Sequence, residues 1–178
     1  MALTIQRKQN AHGQVDAVKM AFKGTREVYA QLPTDETLDM LENGMFFKYD
    51  RGAGTVNTTT ATGDWLMMYD EEVLVEWNTP GHRQYRKDFV LRKDDFQGGK
   101  IYPRLVATTV GDHMITDQVV DGSYEKGDYL EVVVDPGSTV GGILTKTDSI
   151  QDKKEIWVVD VLTTLPDGTP ALGLTKIQ

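Results

Sequence analysis

From residue 44 to the end, apolar and polar positions alternate in short pieces divided by Gly, Asp and Pro. Residues 129–134 set Tyr129, Glu131 and Val133 against Leu130, Val132 and Val134, the period of two that marks a half-buried strand. Residues 156–162 carry the strongest strand pattern. Leu165-Pro166-Asp167-Gly168 then signals a hairpin, and residues 171–177 return with Leu172, Leu174 and Ile177 available for a core. Residues 105–110, 118–120 and 143–145 predict further strands, as do 45–49, 56–61, 65–69 and 73–77 upstream. Strands at about ten-residue spacing predict a mainly β protein, built as a β-barrel or β-sandwich.

Two stretches break that texture. Residues 33–44, PTDETLDMLENG, predict a short helix. Thr34 is a fitting N-cap, Asp35 and Glu36 suit the positive end of the dipole, Leu38 and Leu41 share a face, and Asn43-Gly44 supplies a left-handed stop. Residues 1–30 show little alternation. Val15, Val18, Met20 and Phe22 are spaced only loosely as a helix, so the segment reads as an extended arm that orders against a partner. The expected organisation is an arm over 1–30, an α+β region with hairpins over 31–104, and a small barrel or sandwich over 105–178. Residues 82–100 fit a strand, a short helix or a loop.

Composition narrows the class. A hydrophobic content of 39% against 26% charged residues supports a folded core. With no cysteine, disulfides, thiolate metal sites and cysteine nucleophiles are excluded together. No apolar run approaches membrane-spanning length, and the start lacks the apolar core of a secretion signal, so no membrane partner is expected. The net charge of −8 is uneven: residues 1–30 carry +3, residues 31–104 carry −4 and residues 105–178 carry −7. An acidic body argues against nucleic-acid binding, because phosphate contacts come from Lys and Arg. The cationic start suits an acidic protein surface.

The glycines of GMFFKYDRGAGTV raise the question of a phosphate-cradling loop. A P-loop requires Gly-Lys-Ser/Thr opening a helix, but here Thr-Val-Asn-Thr follows, which prefers β structure. Gly52 and Gly54 are therefore expected to supply positive φ in a hairpin turn. His12, His82 and His113 form no metal-ligand spacing, and Ser123, Ser138 and Ser149 lie in no nucleophile motif. Adjacent carboxylates such as Glu71-Glu72 point to opposite faces of a strand and make no catalytic pair. Trp65, Trp77 and Trp157 fall inside predicted strands and are expected to fill core or interface. The chemistry calls for no cofactor, no metal and no enzyme.

What remains is a cationic leader on a strand-rich acidic body. The MALTIQRKQNAHGQ start, the ENGMFFKYDRGAGTVNTT hairpin and the GDYLEVVVDPGSTVGGIL…IWVVDVLTTLPDGTPALGLTKIQ ending resemble tailed-bacteriophage capsid decoration (auxiliary head, or cement) proteins. The resemblance implies a non-enzymatic virion protein, assembled in the host cytoplasm, on the capsid exterior. Such proteins bridge major capsid subunits, often as trimers. The arm residues Leu3, Ile5, Arg7, Lys8, Lys19, Lys23 and Arg26 would then grip the capsid. The residues near Leu3 would add to a sheet edge, and the cations would meet acidic patches. A head-completion, neck or tail subunit shares this composition. A carbohydrate- or receptor-binding β module is the alternative of another class, and a tryptophan exposed in a groove would mark it.

Overall fold

A computed structural model of the chain describes residues 2–7, 15–19, 28–29, 33–35, 37–69, 73–79, 82–87, 90–96, 102–134, 139–165 and 168–178. Its strands are β1 Leu3–Ile5, β2 Val15–Lys19, β3 Val28–Tyr29, β4 Met40–Glu42, β5 Phe46–Asp50, β6 Thr55–Asn57, β7 Leu66–Met68, β8 Val73–Thr79 and β9 His82–Lys87. They continue as β10 Val90–Arg92, β11 Leu105–Ala107, β12 His113–Thr116, β13 Gly122–Tyr124, β14 Tyr129–Val133, β15 Ile143–Thr147, β16 Ile156–Thr164 and β17 Pro170–Lys176. One helical turn, α1 Lys93–Phe96, follows β10. The protein is mainly β.

Two larger sheets dominate. A six-stranded sheet runs β15-β14-β16-β17-β12-β2, and a five-stranded sheet runs β3-β11-β7-β5-β6. Neighbouring strands in both are antiparallel. The sheets form no closed barrel and lie as sandwich-like layers. Their shared core takes Phe46, Met67 and Val106 from the five-stranded sheet, and Leu130, Trp157, Leu172 and Leu174 among others from the six-stranded one. Phe46 meets Trp157 edge-on, with ring centroids 6.3 Å apart.

The five-stranded sheet is apolar on both faces. Side chains alternate along a strand, so Phe46 enters the shared core while Phe47 enters a second one. Met67 opposes Leu66 and Met68 in the same way, and Val106 opposes Leu105. The second core is completed by Leu38, Leu41, Met45 and Leu91, and the β10–β4 ribbon contributes two of these. Burial on both faces accounts for the unbroken apolar runs at 45–47 and 66–68, which a one-sided sheet would not tolerate.

The helix expected over 33–44 is not formed. Thr34 bridges Val56, the Val56 N–H donates to the Pro33 carbonyl at 2.8 Å, and Met40–Glu42 pairs with β10. A two-turn helix is marginal alone. The extended path buries the same Leu38 and Leu41 while satisfying the free edge of β6. Gly44 is left-handed, with φ 82°, but it ends a strand and turns the chain into β5.

The described leader residues are extended and pair with their own chain. β1 pairs with β13, β2 forms an edge of the six-stranded sheet, and β3 forms an edge of the five-stranded sheet. These edges offer unpaired backbone groups that a local segment can satisfy. The five-stranded sheet also takes β11 from beyond residue 104, so both large sheets draw on distant parts of the chain.

Candidate functional site

Of the seven leader residues, Leu3, Ile5 and Arg7 are the ones whose side chains are described, and they turn to their own chain. Ile5 is 1% exposed in the shared core, and Leu3 packs against that core. Lys19 ends β2, its backbone paired with His113. Lys8, Lys23 and Arg26 lie outside the described residues. Arg7 is clasped: its Nη2 donates to Glu42 Oε2 at 2.8 Å and its Nε to Gln118 Oε1 at 2.8 Å. Gln118 Nε2 donates to the same Glu42 oxygen at 2.8 Å, and the Arg7 N–H donates to Asp121 Oδ1 at 2.7 Å. Glu42 is fully buried, and its other oxygen accepts no hydrogen bond among the described residues. Sequence reasoning placed Ile5 and Arg7 on a partner; the core and a buried carboxylate occupy them instead.

RGAG closes the β5–β6 hairpin. Only Gly54 takes positive φ, at 71°, whereas Gly52 does not. The Asp50 carboxylate accepts the N–H groups of Gly52 at 2.8 Å and Ala53 at 3.0 Å, so the turn is held by an aspartate rather than by two left-handed glycines. These backbone donors, first Ala53 and then Gly52, hold the Asp50 carboxyl below its ordinary range.

An open cleft of about 470 Å³ lies where the 61–65 loop faces β14 and the 152–155 turn. Trp65 forms one wall. It packs on the shared core, and the Lys48 ammonium stands 4.6 Å from its ring centroid. Lys48 also donates to the Thr60 carbonyl at 3.0 Å. Two ion pairs stand on the cleft: Lys153–Glu131 at 2.7 Å and Lys154–Asp64 at 3.2 Å. Sequence reasoning assigned Trp65 to core or interface and did not find this cleft. Its walls are separated by most of a domain's length of chain, and no local spacing joins residue 65 to residues 131 and 153.

Glu155 lines the floor and is tied down. Its Oε1 accepts from Thr108 Oγ1 at 2.8 Å and from Trp157 Nε1 at 3.0 Å, and its Oε2 from Lys176 Nζ at 2.5 Å. Burial pushes the Glu155 carboxyl above its ordinary value, while the Lys176 charge and the three donors pull the other way. With every oxygen engaged, this group braces the end of the shared core.

His113, Thr175 and Asp160 come together across β12, β17 and β16. Thr175 Oγ1 lies 2.8 Å from His113 Nδ1 and donates to Asp160. The cluster sits on the outer sheet face, with the His113 and Asp160 side chains 42% and 45% exposed. Among the described residues nothing encloses the cluster, and side chains this exposed stand in contact with water. Among the described residues no three His, Asp or Glu side chains converge as metal ligands.

β8 and β9 form a ribbon of their own. Val73 pairs with Lys87 and Thr79 with His82, with an irregularity between Glu76 and Thr79. No further strand joins this sheet among the described residues. The β9 sequence, HRQYRK, is the most cationic strand of an acidic protein.

No family model matches the chain, and no curated protein or solved structure matches it.

Proposed function

We propose that the protein is a structural virion subunit: a decoration protein that binds the outside of a tailed-phage head and bridges major capsid subunits. It acts by gripping, without catalysis, and works as a homo-oligomer, a trimer in the first instance. The observation that carries this reading is the β8–β9 ribbon. A two-stranded ribbon is marginally stable in water unless a third strand or a surface covers it. A capsid surface supplies that cover, by strand addition or by contact with the cationic β9. Each bridging copy engages several subunits, so modest single contacts sum to firm attachment.

The gripping element proposed here differs from the one expected from sequence. The described leader residues secure the body, and the β8–β9 ribbon, which pairs with no other described strand, is the segment proposed to grip. The β9 sequence carries Arg83, Arg86 and Lys87, a charge complementary to acidic capsid patches.

The test is co-sedimentation with heads that lack the protein. Replacing residues 73–87 by a short Gly-Ser linker should leave a folded body by circular dichroism and abolish binding to heads. The paired substitution Arg83→Glu and Arg86→Glu should weaken binding and remove its salt dependence. Undiminished binding by both variants would rule the ribbon out.

A further inference from the structure

We infer that the Trp65 cleft is a binding site for a neutral saccharide, an activity beyond attachment to a capsid. Four observations lead there. The volume, about 470 Å³, lies within the ordinary range for small-ligand sites.

The charges cancel. Lys48, Lys153 and Lys154 face Asp64, Glu131 and Asp152, while Glu155 is neutralised beneath them by Lys176. A balanced lining carries no net charge to attract a phosphate, an acidic sugar or a polyamine, which favours an uncharged ligand.

The polar groups come as adjacent donor and acceptor. Glu131 beside Lys153 and Asp64 beside Lys154 each place a carboxylate next to an ammonium. Vicinal hydroxyls both donate and accept, and match that arrangement. The Lys154–Asp64 pair is largely exposed, at 80% and 76%, so little interaction is lost when a hydroxyl inserts into it.

Trp65 lines the cleft and is only partly buried, so the part of its indole left open by the core and by Lys48 can meet a sugar's C–H groups. Its indole is held by the core on one part and by Lys48 on another, so little side-chain freedom is lost on binding.

The experiment is titration of the full chain by NMR and calorimetry. The probes are glucose, galactose, mannose, N-acetylglucosamine and their disaccharides, with sialic acid as the anionic comparison. The indole N–H signal absent from Trp65→Phe identifies Trp65. At least one neutral sugar should shift that signal saturably, with a Kd on the order of 1 mM or tighter. Trp65→Ala should abolish binding. Because Trp65 also packs on the core, Glu131→Gln with Lys153→Met is the second variant, and should weaken binding by about tenfold while the spectrum stays dispersed. The inference fails if no neutral sugar saturates, if sialic acid is preferred, or if binding survives both variants unchanged. Because these titrations use the isolated chain, their failure leaves the capsid proposal standing, and failure of head binding leaves the sugar site standing.

Discussion

Arg7 Nη2 donates to Glu42 Oε2 at 2.8 Å, with the two side chains only 12% and 0% exposed. This contact ties the leader to the strand that lids the second core. At Arg7 the described leader residues are fastened to their own chain.

Arg7→Ala should therefore destabilise the protein by about 3–5 kcal/mol, because it strands a buried carboxylate. Lys93→Ala, which breaks the exposed pair with Asp39, should cost far less. Urea unfolding of the two variants checks this. Equal small losses would show that the leader does not hold the body together.

Gly141 is tightly enclosed. A Cβ there would lie 2.4 Å from Phe47 Cζ and 2.7 Å from Met45 Cβ. Gly141→Ala should lower stability by about 1–3 kcal/mol through overpacking of the second core. Thermal unfolding is the measurement, and an unchanged midpoint would contradict the close approach of this loop to β5.

The hairpin turn should report in acid. Asp50 has a folded pKa below its ordinary value of 3.8, so its stabilisation is present above that value and is lost as pH falls through the folded one. Asp50→Asn keeps an acceptor for the Gly52 and Ala53 N–H groups but removes the titration. The variant should show a shallower loss of stability below pH 3.8, measured by urea midpoints across acid pH.

Glu155 has the opposite sign. Its folded pKa is raised above the ordinary 4.5, so the folded state keeps the proton longer, and this group's contribution falls as pH rises through that window. Lys176→Met leaves the buried carboxylate without its countercharge and should cost about 3–5 kcal/mol at neutral pH. The loss should shrink as pH drops and Glu155 takes up its proton. A loss independent of pH would mean that the pair is held by packing alone.

Much of the architecture was legible, for a local reason. β14, β16 and β17 alternate cleanly or carry turn residues at their ends, and these strands form where periodicity places them. Leu38 and Leu41 were misread because a spacing of three suits one face of a helix. Here a partner strand, β10, and the open edge of β6 decided the matter, and both are distant in sequence. The leader misled similarly. Ile5 and Arg7 look like free arm residues until β13, Glu42 and Gln118 are brought beside them. The Trp65 cleft had no sequence signal because its ion pairs join residues far apart in the chain.

The capsid proposal meets its most direct test in an electron cryomicroscopy map of heads saturated with the protein. The account predicts density on the outer surface in which residues 73–87 touch the shell and residues 2–7 stay within their own subunit. Heads that remain bare, or copies whose ribbon points into solvent while the leader lies across the shell, would contradict it.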